Sequence, residues 1–294
     1  MNRRDFILSS AAAGGAAALL ARTHVASAAP KGPFSELPLK MSVPIDWFTG
    51  TTEEKLDKVA EWGFPAYEWL NPECDPAATR AKADALGVEL SCIVGAGAIA
   101  PGQMVDPDDH DRLVKQFEDR IVLAKALNCR RLIGLSGNAS RKLTHEKQME
   151  NMVKCLKRLA PIAEQNNVVI VLEALNPLVD HKGFFLTRTD QTMEIIQEVG
   201  SPRVKMLFDI YHQQITEGNV IRNLTKNIDR IGHFHVADNP GRKEPGSGEL
   251  NYTNIFKAIA ETKYDGFVAL ECGSTTKNND DILKATLKCF GVMA

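Results

Sequence analysis

Four apolar runs in the C-terminal half of the chain each end on a group able to bind a cation or move a proton. The run Val168-Val169-Ile170-Val171-Leu172 closes on Glu173, and Lys205-Met206-Leu207-Phe208 closes on Asp209. His233-Phe234-His235-Val236-Ala237 carries two imidazoles, and Phe267-Val268-Ala269-Leu270 closes on Glu271. A carboxylate at the end of so apolar a segment is costly to bury without a partner. A single strand-end glutamate is ordinarily an ion-pair residue, and a single core histidine is ordinarily just hydrogen-bonded. Four such residues, at the same end of consecutive runs, are harder to explain that way. Three carboxylates brought together repel one another and are driven toward protonation unless a cation joins them. Glu173, Asp209, His235 and Glu271 form an oxygen-rich donor set with one nitrogen, suited to Mn²⁺, Mg²⁺ or Co²⁺.

That chemistry needs elements that bring the four run ends together. Strand-like segments fall at 39–47, 66–70, 89–95, 130–135, 168–175, 204–210, 231–237 and 266–271. Helical patterns fall at 52–62, 76–86, 107–127, 144–166, 188–199, 216–229, 253–263 and 280–290. Thr51 with Glu54, and Thr144, supply helix starts, while Gly63, Gly87 and Gly200 supply stops. Eight strands alternating with eight helices predict an α/β fold with a parallel sheet, closed as a single-domain (β/α)8 TIM barrel over 39–294. An open doubly wound sheet would carry a Gly-rich phosphate loop after its first strand. This chain has Trp47-Phe48-Thr49-Gly50 there instead. In a barrel the strand C-termini converge on one face, where side chains two apart along a strand point the same way.

The 294 residues are 44% hydrophobic and 24% charged, with a net charge of −2. These figures exclude a disordered chain, and no basic stripe of the kind a nucleic-acid binder needs stands out. Residues 1–28 read as a twin-arginine signal: Arg3 and Arg4, a small-residue apolar stretch, then Ala26-Ser27-Ala28 as the cleavage site. A linker at 29–38 precedes the barrel. This predicts export through the twin-arginine machinery to the periplasm. The six cysteines form no C-x-x-C pair and read as core thiols.

Four segments resemble the xylose-isomerase-like sugar isomerase/epimerase superfamily, and within it the hydroxypyruvate isomerases. They are LEALN (172–176), FDIYHQQ (208–214), IGHFHVADNPGRKEPGSGELNY (231–252) and ALECG (269–273). The resemblance implies Glu173, Asp209, His235 and Glu271 as ligands of a divalent metal, with Glu173 and Glu271 also as the acid/base pair. It places His212 and Arg242 against substrate oxygens and Glu68 at the pocket wall. It implies an aldose–ketose type isomerisation through a cis-enediolate, such as hydroxypyruvate to tartronate semialdehyde, on a small hydroxy-carbonyl or sugar substrate. Hydroxypyruvate isomerases tend to carry Gln where this chain has His235, and ketose 3-epimerases tend to carry His. A keto-sugar 3-epimerase with the same metal site is therefore the alternative. A non-catalytic exported sugar-binding protein is the rival of another class. The related endonucleases would need further histidine and acidic ligands and a basic DNA face, and this chain has seven histidines in all. The sequence is compatible with a homo-oligomer. The segment 239–248 is expected to act as a lid, and Trp47, Phe48, Trp62, Trp69 and Phe184 are candidates for a sugar-stacking surface.

Overall fold

The computed structural model describes residues 29–292. Residues 1–28, where the signal is expected, lie outside the described residues.

Nine parallel strands follow the order β3-β2-β1-β9-β8-β7-β6-β5-β4. They are β1 (Lys40–Pro44), β2 (Ala66–Glu68), β3 (Glu89–Leu90), β4 (Ile93–Ala96), β5 (Arg131–Gly134), β6 (Val169–Glu173), β7 (Val204–Asp209), β8 (Ile231–Val236) and β9 (Phe267–Leu270). The two strands at the ends of this order, β3 and β4, are halves of the one strand expected at 89–95, parted at Ser91-Cys92. β3 pairs with β2 and β4 pairs with β5. The Ser91 and Val94 amides donate to the Tyr67 and Leu70 carbonyls, each at 2.8 Å, so pairing runs on across the break. The barrel therefore closes through a broken third strand.

The helices are α1 (Thr52–Glu61), α2 (Pro76–Leu86), α3 (His110–Ala126), α4 (His145–Asn166), α5 (Thr189–Val199), α6 (Ile210–Thr216), α7 (Val220–Lys226), α8 (Tyr252–Ala260) and α9 (Asn279–Cys289). Local chemistry sets their ends. Thr51 and Glu54 cap each other's backbone N–H groups at α1. Asp75 caps α2, which stops at left-handed Gly87, and Thr144 caps α4.

Two expectations need correcting. The helix expected at 216–229 is only α7 followed by a 3-10 turn at Ile228–Arg230, and the separate α6 stops just before Gly218, whose left-handed φ of 62° breaks the turn. The segment 29–38 contains a 3-10 turn, Pro33–Glu36, that buries Phe34 against Phe64 with ring centroids 3.9 Å apart. A Cβ on Gly32 would sit 2.5 Å from the Trp62 carbonyl carbon, so this turn lies directly on the end of α1. All six cysteines are free, and Cys92, Cys129 and Cys155 are buried. Among the described residues no helix is long and apolar enough to cross a membrane.

Candidate active site and metal centre

Each side chain of the site stands at the C-terminal end of a strand. Glu173 and Asp209 are the last residues of β6 and β7, and Glu271 follows β9 directly. The parallel register sets Asp209 opposite His235 of β8. Asp209 also caps α6, its Oδ1 accepting the His212 amide at 3.1 Å. Strand and helix thus hold that carboxylate from both sides.

One ligand atom from each of Glu173, Asp209, His235 and Glu271 lies within 4.8 Å of every other. Nδ1 of His235 is 3.2 Å from Glu173 Oε1 and 2.9 Å from Glu271 Oε2. Arg242 brings Nη2 to 2.6 Å from Glu271 Oε2 and 3.4 Å from Asp209 Oδ2. Burial and the charges of Glu271 and Asp209 raise the pKa of Glu173. Burial works against ionised Glu271 as well, but His235 and Arg242 outweigh it and hold that carboxyl well below the usual range. Burial likewise opposes a charged His235, but Glu271 and Glu68 outweigh it and raise its pKa well above the ordinary value.

The sequence placed Glu68 only at the pocket wall. It does line the cavity, and it is also the third carboxylate around the histidines. At the end of β2 and 3% exposed, it accepts a bond from His233 Nε2 at 2.8 Å through Oε1. Its Oε2 lies 3.2 Å from His235 Nε2, an ion-pair contact off the hydrogen-bond line. Burial opposes its charge, yet the two histidines outweigh that and bring its carboxyl down to about 2. Burial also lowers His233, to about 4, against the pull of Glu68. His235 therefore turns one ring nitrogen to Glu68 and the other to the cluster. Nothing in local spacing signals this contact, because Glu68 and His233 are 165 residues apart.

His212 is fully buried. Its Nδ1 lies 2.7 Å from Asn176 Nδ2, and its Nε2 has no hydrogen-bond partner, 3.5 Å from Asp209 Oδ2. This leaves a buried imidazole nitrogen without a protein partner beside the carboxylates. A cavity of about 500 Å³ opens next to Glu68, Arg242 and Glu271, walled by Trp47, Trp69 and Asn71. The other aromatic candidates pack elsewhere: Trp62 meets Phe34 edge-on, and Phe184 is buried in the core.

The loop after β8, where a lid is expected, is held by hydrogen bonds within itself and to the loop after β9. Asp238 accepts four backbone N–H groups, from Asn239 and Gly246 at 2.8 Å, Gly248 at 2.9 Å and Leu250 at 3.1 Å. Glu244 bonds to Thr275, and the Arg242 carbonyl accepts the Gly273 amide at 2.8 Å. Arg242 itself has a φ of 53° and stacks over the Tyr211 ring at 5.4 Å.

Residues 56–291 match the family model described as xylose isomerase-like TIM barrel. The chain belongs to this family. It is 34% identical over 161 residues to the hydroxypyruvate isomerase of Escherichia coli, covering 53% of this chain and 62% of that protein. It is 32% identical over 231 residues to the 2-oxo-tetronate isomerase of Cupriavidus necator, covering 74% and 85%. A solved structure titled as a family 2 AP endonuclease from Brucella melitensis superposes with a TM-score of 0.74 at 21% identity, over 83% of this chain and 96% of that one. That likeness shows the shared fold.

The donor set fits a divalent cation. Three carboxylates and one imidazole nitrogen meet at one point, and hard, oxygen-rich ligands of this kind suit Mn²⁺, Mg²⁺ or Co²⁺.

Proposed function

We propose that this protein is a divalent-metal-dependent isomerase of α-hydroxy carbonyl compounds, with hydroxypyruvate the leading substrate. The observation that carries this reading is the pair Glu173 and Glu271, both within reach of His235 Nδ1 and of Asp209, with Glu271 on the wall of the 500 Å³ cavity. Two of its relatives, named for hydroxypyruvate and for 2-oxo-tetronate, act on 2-oxo acids, and this supports a carboxylate-bearing substrate.

Glu173, Asp209, His235 and Glu271 would hold the ion. When bound, it would supply Lewis acidity to a substrate carbonyl and acidify the neighbouring C–H. The protein's own groups do the rest. One glutamate removes the proton from the hydroxyl-bearing carbon, leaving an enediolate, and the other is placed to return a proton. Return to the neighbouring carbon isomerises the substrate, and return to the opposite face of the same carbon epimerises it. Arg242 counters the negative charge that develops and is placed to grip a substrate carboxylate. His212 Nε2 is available to a substrate oxygen. Trp47 and Trp69 keep one side of the cavity apolar.

The test is solvent-deuterium incorporation followed by NMR. Protein loaded with Mn²⁺ and freed of excess metal is mixed in D₂O with hydroxypyruvate, 2-oxo-tetronate or a panel of ketoses. Metal-dependent exchange next to the carbonyl, with conversion of hydroxypyruvate, is the expected result. Exchange with ketoses alone moves the reading to a sugar 3-epimerase, for which His235 is the residue in favour. Binding without exchange on every compound overturns catalysis. We further propose export by the twin-arginine route, on the residues of 1–28 alone. Replacing Arg3 and Arg4 with Lys should leave the full-length precursor in the cytoplasm.

A further inference from the structure

The opposite end of the barrel holds a second cavity, of about 410 Å³, where the N-terminal ends of β5 to β9 meet. Its wall carries five cations: Arg130, Arg131, Arg203, Lys205 and Lys263. Among the described residues none of the five makes an ion pair, although twenty such contacts occur elsewhere in the molecule. Two acids share the wall. Asp265 is already paired with Lys40, and Asp229 is exposed at the rim.

Arg131, Arg203 and Lys205 are half-buried, and neutral groups hold them in place. Arg131 Nε donates to the Gly232 carbonyl at 3.0 Å, and its guanidinium lies over the Phe267 ring at 4.8 Å. Arg203 Nη2 donates to Asn167 Oδ1 at 2.5 Å, and Lys205 Nζ to the Asp229 carbonyl at 3.0 Å. Partly desolvated like charges around one concavity are unfavourable until a counter-charge arrives. Carbonyls and an aromatic face orient them, and the one acid that feels the Arg131 charge on this wall, Asp265, is already paired with Lys40. A walled cavity of this volume takes a small molecule, whereas a polymer is met by an extended basic track.

We propose that this cavity is a binding site for a small, multiply charged anion, bearing phosphoryl or several carboxylate groups, separate from the catalytic end of the barrel. Arg131 forms its floor and Arg203 and Lys205 its principal charge contacts. Planar guanidinium forks suit bidentate contact with either kind of oxyanion.

Calorimetric titration of the metal-loaded full chain with inorganic phosphate, and separately with tricarballylate, tests this at ionic strength fixed with chloride. One saturable site is expected for at least one probe, and which probe binds assigns the anion class. R203Q/K205Q should weaken that binding at least tenfold, and R130Q/K263Q should weaken it less, because those two side chains are exposed. R242Q, at the catalytic end, should leave it unchanged. Thermal unfolding of each variant verifies that it is folded. Absence of saturable heat with both probes overturns the proposal. So does binding that survives R203Q/K205Q, or binding lost in R242Q, which would place the anion at the catalytic end.

Discussion

The two ends of this barrel present opposite electrostatic problems and treat them differently. At the C-terminal end Glu68, Glu173 and Glu271 surround His235, Asp209 stands beside them, and Arg242 reaches in among them. Nearly every charge there has a partner of opposite sign. At the N-terminal end five cations face a cavity with no ion pair of their own among the described residues. The first arrangement fixes side chains at set distances, as proton transfer requires. The second leaves charge unanswered, as ligand capture requires. Residue composition alone would not separate these roles. What separates them is whether a neighbouring strand supplies a counter-charge.

Substitutions at the two ends should therefore differ in size and in kind. The largest effect is expected for Glu271→Gln, which removes one of the two glutamates proposed to transfer the proton. Deuterium exchange into substrate should fall by about 10²–10⁴-fold, with a divalent ion still bound by calorimetry. Undiminished exchange would break the two-glutamate assignment. Next is the ion itself. Mn²⁺ bound at the proposed site should, at about 100 times its Kd, stabilise the folded chain by about 2.7 kcal/mol. At roughly 2–4 °C per kcal/mol for chains of this order of size, addition after chelation should raise Tm by several degrees in a thermal scan. A flat response would remove the metal from the catalytic end. Glu68→Gln comes third. It weakens the hold on His235 Nε2 and should lower metal affinity by about 10–100-fold. Saturating metal should restore much of the turnover, a pattern that simple loss of folding does not give. The smallest effect belongs to the other end. Lys205→Gln should change stability by no more than about 0.5 kcal/mol in urea unfolding and leave exchange at its parent rate. A large loss there would mean that the cations serve the fold.

The strand ends were the most legible part of the chain. Glu173, Asp209 and Glu271 follow apolar runs that only a buried parallel sheet explains, and the alternation of segments then carries them to one face. Arg242 was legible through its motif. Glu68 was legible as a pocket residue but not as the carboxylate between two histidines, because that contact spans the barrel. The basic cavity was not legible at all. Arg130 and Arg131, Arg203 and Lys205, and Lys263 are scattered over more than 130 residues, and only closure of the barrel gathers them. Local backbone breaks were equally hidden. Gly218 interrupts a helical pattern whose apolar spacing continues past it, and Ser91-Cys92 divides a strand that reads as continuous.

The four amide bonds to Asp238 bear on the thermodynamics of binding. A long loop that folds over its ligand gives up conformational entropy when the ligand arrives, and the observed affinity is lowered by that amount. Here one carboxylate has already collected the amides of residues 239, 246, 248 and 250 as part of folding. The ordering cost of the arm that carries Arg242 is thus charged to the stability of the protein and not to each encounter with substrate. Capture at this end should then show little of the unfavourable entropy of a closing gate, and a substrate carboxylate should meet a guanidinium whose position is already set.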